Sequence, residues 1–243
     1  LWARKSTGVA AGLTEAASIA YAPAGKIIIT GSYKGATTFG STTLPSASAT
    51  LFDGFLVEYD TTGNEVWAKY MSSAVGAARG YGLATDNSSH IYVSGTMDSV
   101  QITMDTMLIN PAPHPSSDPL FIAKYDINGN PLWGKALASG GDDQSGLAVT
   151  PANDVFVVGD FIPTTFVVGN DSLSLSGIET PFLAKLTDTS QEGIIEKNIE
   201  RNELIIYPNP ALDHLYLTLS ISSGTMIRIY NILGECVAAS LHF

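Results

Sequence analysis

Cysteine is nearly absent: Cys236 is the single thiol in 243 residues. That excludes an internal disulfide framework and any cysteine-based zinc site, and it makes Cys236 a small packed residue rather than a nucleophile. Charge is scarce as well. Charged residues are 14% of the chain and only 12 of them are basic, which leaves a formal net charge of −11 and a pI near 4.6. Without a basic cluster, nucleic acid is excluded as a partner, and the acidity reads as a solubility device. No apolar run reaches the roughly 18 residues of a membrane span. The four histidines, His90, His114, His214 and His242, never stand as a pair at metal-ligand spacing, so no metal site is expected on them. Neither a Gly-x-Ser-x-Gly elbow nor a phosphate-binding glycine loop occurs, and no cofactor is expected.

What is present is repetition. Residues Phe121 to Lys135 (FIAKYDINGNPLWGK) read as a β-hairpin. An alternating strand ending at Tyr125 runs into Asp126-Ile-Asn-Gly-Asn130, where Asp bonds back to its own backbone and Gly129 takes a positive φ. A second strand then carries Trp133. Residues Phe55 to Lys69 (FLVEYDTTGNEVWAK) repeat it, with Tyr59, Gly63 and Trp67 in the same places. Leu1-Trp2-Ala3-Arg4 matches its ending and Phe182-Leu-Ala-Lys185 its beginning. Trp2, Trp67 and Trp133 lie 65 and 66 residues apart, while Gly31, Gly95 and Gly159 lie 64 apart both times. Ile19 to Ala22, Leu83 to Asp86 and Leu147 to Thr150 keep the 64-residue step. So small a drift across independent markers establishes a repeat.

Each unit reads as strand throughout. A short Leu/Ile-Ala strand precedes a turn, then a β-branched run (Ile27 to Thr30, Ile91 to Ser94, Val155 to Val158) that lacks polar alternation and therefore predicts burial on both faces. A variable polar loop follows, which in the second unit holds Pro111-Ala-Pro-His-Pro115, and the hairpin closes the unit. Four strands per unit, each sheet needing neighbours on both faces, predict radially stacked blades. Because the tryptophans recur at one fixed position, packing between blades is the stronger reading of them, ahead of stacking on sugars. Asp126-Ile-Asn-Gly-Asn130 lacks the closing Glu of a calcium loop and reads as turn chemistry. Asp142-Asp143 occurs in one unit only.

The pattern of the hairpin, the Leu/Ile-Ala strand and the Ile-Tyr-Val-x-Gly run resembles the bacterial β-propeller repeat named for seven-bladed propellers, over residues 1 to about 187. The resemblance implies one blade per repeat and secreted or surface proteins as the usual setting, and its motif carries no catalytic residue. Residues 188–203, with six charges between Glu192 and Glu203, read as a solvated linker. Residues 204–243 resemble the type IX secretion C-terminal sorting domain of Bacteroidota, on Tyr207-Pro208-Asn209-Pro210, Asp213, the Ile-Arg-Ile-Tyr230 strand and Gly234. That resemblance implies a small β-sandwich, truncated at Phe243 before its last strands, with the type IX secretion machinery as a partner and a secreted or outer-membrane location. Asp98-Ser-Val100, Asp105-Thr-Met107 and Asp171-Ser-Leu173 resemble O-glycosylation sites of exported Bacteroidota proteins.

The expected fold is thus all-β: about three four-stranded blades in an incomplete ring, then a small β-sandwich-like domain. The expected function is a non-catalytic interaction or adhesion module with an unknown protein or glycan ligand. The alternatives are a fragment of a propeller-containing hydrolase and a carbohydrate-binding accessory module, with the loop from Gln101 to Ser117 as contact surface. Leu1 falls inside a repeat, so further repeats are expected before it. Residues 1–5 offer a strand for the third sheet, but three blades make too tight a ring, so an open arc is expected, with Ile27 to Thr30 exposed and the chain prone to associate.

Overall fold

The computed structural model describes residues 1–9, 12–23, 25–46, 50–73, 76–98, 101–110, 119–137, 145–162, 165–168, 171–174 and 180–187, and then 205–207, 216–218, 228–230 and 236–239. Among these residues there are strands and turns but no helix. The chain divides into two units, Leu1–Thr189 and Ser190–Phe243.

In the first unit a short strand β1 (Thr7–Gly8) precedes three copies of one pattern. The first copy holds β2 (Leu13–Ala22), β3 (Lys26–Lys34), β4 (Thr37–Phe39), β5 (Thr42–Leu44), β6 (Asp53–Tyr59) and β7 (Glu65–Ser72). The second holds β8 (Ala78–Thr85), β9 (Ile91–Met97), β10 (Ile102–Met104), β11 (Met107–Ile109), β12 (Leu120–Tyr125) and β13 (Pro131–Leu137). The third holds β14 (Gly146–Val149), β15 (Asp154–Phe161), β16 (Thr165–Val168), β17 (Asp171–Ser174) and β18 (Thr180–Thr187). Strands β2-β3-β6-β7 and β8-β9-β12-β13 form antiparallel blades of four, and β14-β15-β18 a sheet of three. This is an all-β, incomplete propeller.

Burial follows from the stacking. Every residue of β6, β9 and β12 is buried, as expected of middle strands covered on both faces. Ile28, Leu56 and Met71 of the first blade meet Val93, Phe121 and Tyr125 of the second in one core. Ile122 and Leu137 of the second blade meet Val157, Phe161 and Phe182 of the third in another. Tyr33, Phe55 and Val57 pack under Phe39 and Leu44 on the opposite side of the first blade.

The recurring glycines sit where a side chain has no room. Gly31, Gly95 and Gly159 pair across the strands with Phe55, Phe121 and Phe182, and each phenyl ring lies against its glycine, a pairing that compensates the missing side chain. The neighbouring inner strands bulge opposite the first two, between Ala16 and Ser18 and between Gly80 and Gly82. Each bulge presses a carbonyl, of Glu15 or Arg79, onto the glycine face.

Three expectations are corrected. The variable loops contain a hairpin in every copy, β4-β5, β10-β11 and β16-β17. The second extends the first blade outward, because β10 pairs with β7 (Thr103↔Ser72), and β4 pairs with β1 in the equivalent register (Thr7↔Thr38). Residues 1–6 are not a strand and do not complete the third sheet; Trp2 and Arg4 instead donate to carbonyls of the first blade's 60–64 turn. Nor does Ile27 to Thr30 form the exposed apolar face, since Ile28 and Thr30 are fully buried. The exposure lies on Ile19 and Tyr21 of β2 and on Leu183 of β18.

The Asp-x-x-Gly-Asn turn is held by its carboxylate. Asp60 Oδ1 accepts from the Thr62 and Asn64 backbone N–H groups at 2.9 and 2.8 Å and from Thr62 Oγ1 at 2.7 Å. Asp126 accepts from Asn128 N, Asn130 N and Asn130 Nδ2. The hydrogen bond from the Thr62 side chain, with that from the Asn64 backbone, pulls the Asp60 pKa down from 3.8 to about 2. Burial pushes Asp126 up, but the Asn130 and Asn128 hydrogen bonds outweigh it and the net shift is down. A folded pKa below the unfolded one gives a contribution that is complete above 3.8 and lost as pH falls toward 2. Thermal midpoints measured across that range should therefore drop more steeply for the wild type than for Asp60→Asn. Parallel curves would mean that the carboxylate does not hold the turn.

In the second unit, β19 (Ile205–Tyr207) pairs antiparallel with β20 (Tyr216–Thr218), and β21 (Arg228–Tyr230) with β22 (Cys236–Ala239).

Candidate functional site

The three innermost strands run side by side, β2 against β8 and β8 against β14. Where they meet, a cleft of about 570 Å³ opens, lined by Glu15, Ser32, Phe52, Arg79, Tyr81 and Ser145. Each blade contributes to it: β2 brings Glu15, β8 brings Arg79 and Tyr81, and Ser145 stands just before β14. The Phe52 ring meets two cations, with Lys34 Nζ 4.1 Å and Arg79 Cζ 4.5 Å from its centroid, and the cation–π attraction helps hold Arg79 in the cleft lining. Ser145 Oγ lies 2.7 Å from Ser94 Oγ, tying the floor to the second blade. The cleft therefore offers aromatic surface beside charges of both signs.

A smaller cleft of about 360 Å³ lies between Arg4, Thr38, Ser41, Tyr59 and Glu65. Much of its polarity is already spent. The Glu65 carboxylate accepts from Ser41 N, Ser41 Oγ and Thr42 Oγ1 at 3.1, 2.9 and 2.8 Å, and Arg4 Nε donates to the Gly63 carbonyl at 2.7 Å. This cleft is a seam that joins residues 1–9 to the first blade.

Trp2 and Trp67 each rest on the turn of the copy that follows them. The Trp2 ring rests on Gly63 and its Nε1 donates to Thr61 O at 2.9 Å; the Trp67 ring rests on Gly129 and its Nε1 donates to Ile127 O at 3.1 Å. Gly63 and Gly129 take φ of 82° and 76°, so each turn supplies a flat seat in a conformation that favours glycine. Trp133 packs with the second core and edge-on to Tyr92, 6.3 Å between centroids. Its Nε1 is buried without a partner among the described residues, and the equivalent carbonyl, that of Asp188, lies outside them. Tyr59 and Tyr125 are buried blade residues whose hydroxyl pKa values burial pushes up.

Of the sorting-motif residues, Tyr207 ends β19, whereas Pro208, Asn209, Pro210, Asp213 and Gly234 lie outside the described residues, as do Asp142, Asp143, His114, His214 and His242. Asp105-Thr106 forms the turn of the β10-β11 hairpin, and Asp105 pairs with Lys69 at 2.9 Å. Among the described residues, no group of three His, Cys, Asp or Glu side chains is placed to hold a metal ion, and no helix is long and apolar enough to cross a membrane. The cleft was not singled out from the sequence. Its signal was present, since Glu15 and Arg79 occupy the same repeat position with opposite charge.

Comparison with known proteins bears on both units. Over 208 residues, 78% of this chain, it is 28% identical to an uncharacterized WD repeat-containing protein of Acanthamoeba polyphaga mimivirus. WD repeats are propeller-type repeats, and this chain spans about 15% of that relative's length. Residues 205–242 match the family model described as secretion system C-terminal sorting domain. Residues 205–242 are thus a type IX sorting domain, and the protein that carries it is secreted or held at the outer-membrane surface.

Proposed function

We propose that the protein is a non-catalytic interaction module, exported through its C-terminal domain, that binds a protein or glycan in the cleft between its innermost strands. One observation carries this reading. Packing positions keep their residue type from blade to blade, as with Gly31, Gly95 and Gly159 opposite Phe55, Phe121 and Phe182. The cleft positions do not: Glu15 corresponds to Arg79, and Ala17 corresponds to Tyr81 and to Ser145. A constant frame that presents variable side chains is how scaffolds carry recognition surfaces. Export to the surface, which the sorting domain provides, puts that cleft in reach of extracellular ligands.

Arg79→Glu and Tyr81→Ala test the reading against a panel of immobilised oligosaccharides and surface proteins. Both variants should weaken the captured ligand at least about tenfold, equivalent to about 1.4 kcal/mol, with unchanged unfolding midpoints. Turnover of a glycoside or peptide substrate by the wild type, lost in both variants, would instead make the cleft an active site.

A further inference from the structure

We propose that the ligand recognised in the cleft between the innermost strands is a neutral saccharide, an assignment that rests on the cleft being the recognition site. Its hydroxyl groups donate to the Glu15 carboxylate and accept from the Arg79 guanidinium, while one face of a sugar ring lies on Tyr81.

Two polar groups in the cleft wall lack partners. Glu15 is exposed, and its carboxylate makes no hydrogen bond or ion pair among the described residues. Ser32 stands directly across the β2–β3 ladder from it, a placement that sets the two Cβ atoms about 4.5–5.5 Å apart. Ser32 is 5% exposed, and its hydroxyl also has no partner among the described residues. A hydroxyl buried to that degree is ordinarily hydrogen-bonded. Both residues line the cleft, so the missing partner is supplied from within it.

The charges select against an ionic ligand. Glu15 on β2 and Arg79 on β8 hold equivalent repeat positions, on strands that run side by side. A cation drawn to Glu15 enters the field of the Arg79 guanidinium, and an anion drawn to Arg79 enters that of Glu15. Part of the attraction is cancelled in either case. An alcohol avoids the conflict, because one hydroxyl has an O–H to donate to a carboxylate and lone pairs to accept from a guanidinium. A saccharide carries several hydroxyls at fixed spacing.

Tyr81 supplies the apolar surface. It is the extra residue of the β8 bulge, between Gly80 and Gly82, and bulges re-aim a side chain away from the ladder. Its first-blade equivalent, Ala17, is the extra residue of the β2 bulge, and its third-blade equivalent is Ser145. The phenol ring is therefore bordered by two small side chains in a cleft of about 570 Å³, a size within the roughly 300–1,000 Å³ of small-ligand sites. A pyranose presents C–H groups on one face, which pack on an aromatic ring, and hydroxyls at its rim, which meet the polar wall.

Affinity chromatography of the full chain tests this. The immobilised ligands are neutral gluco-, manno- and galacto-oligosaccharides, uronate and sulfated oligosaccharides, and peptides rich in Lys or in Asp. At least one neutral oligosaccharide should retain the protein, equally at roughly 0.1 and 1 M salt, a range over which the screening length shrinks about threefold. Glu15→Ala and Tyr81→Ala should each weaken that retention about tenfold or more, and Ser32→Ala should weaken it as well, all with unchanged unfolding midpoints. Retention by acidic saccharides or by peptides alone, still lost in Tyr81→Ala, would overturn the neutral-saccharide assignment and leave the cleft a recognition site. Neutral-saccharide binding that Glu15→Ala and Ser32→Ala leave untouched would overturn it too. Absence of any binding that depends on Arg79 or Tyr81 would defeat the recognition reading itself, and the saccharide assignment with it.

Discussion

Gly95→Ala is expected to unfold the second blade or nearly so, while Gly159→Ala, the same change at the same repeat position, is expected to be mild. A Cβ on Gly95 falls far inside the 3.0 Å that real Cβ atoms respect, against the Arg79 carbonyl and against the Phe121 ring. The carbonyl belongs to the bulge between Gly80 and Gly82 and cannot move without breaking the β8–β9 ladder. Overpacking typically costs about 1–3 kcal/mol, and a backbone clash that no rotamer relieves belongs at or above the top of that range. At Gly159 the nearest atoms among the described residues are Phe182 Cε1 at 3.0 Å and Leu120 Cδ1 at 3.3 Å, both of them side chains, so about 1 kcal/mol is expected. Urea unfolding followed by tryptophan fluorescence reads the difference, since Trp2, Trp67 and Trp133 all lie in Leu1–Thr189. Similar midpoints for the two variants would show that the bulge does not impose the glycine.

The second large effect is expected at Trp67. Removing its ring vacates the seat on Gly129, opens the partly buried packing against the core between the first two blades and leaves the Ile127 carbonyl without its donor. Truncating a buried aromatic costs about 3–5 kcal/mol, and the partial exposure of Trp67 places Trp67→Ala near the lower end. Trp67→Phe keeps a ring on the glycine and loses only the hydrogen bond, worth about 1 kcal/mol. Trp2 makes the same two contacts but is 41% exposed, so Trp2→Ala should cost clearly less than Trp67→Ala. Equal losses at the two positions would mean that burial between blades is not the source of the stability. Loss of ligand capture at Trp67→Ala with an unmoved midpoint would make the ring a binding platform.

The hairpins inside the variable segments show why part of the fold was not legible. Strands β4, β5, β10 and β11 have three residues each, too few for an alternating pattern to register. A trace was there: Thr38 and Thr103 are 65 residues apart, as are Leu44 and Ile109, and the first loop residues, Gly40 and Asp105, both take φ of 54°. The long β-branched runs were legible because burial on both faces removes polar alternation over many residues, as at Ile91 to Ser94.

By itself the sequence determined the repeat, its strand content, the turn at each Asp-x-x-Gly-Asn and the sorting domain at the C-terminal end. All of these rest on local chemistry: an Asp that bonds to amides two and four residues on, a glycine where φ must be positive, a β-branched run that cannot face water. Only the tertiary structure decided where residues 1–8 dock, why Gly31 and Gly95 tolerate no side chain, which equivalent apolar positions are covered, and that Glu15, Phe52, Arg79, Tyr81 and Ser145 share one cleft. Those outcomes depend on what the next blade places about sixty residues away, as Trp67 and Ile127 show at a separation of 60. Leu56, Ile122 and Leu183 hold the same place in the repeat, and the neighbour that covers the first two leaves the third in water.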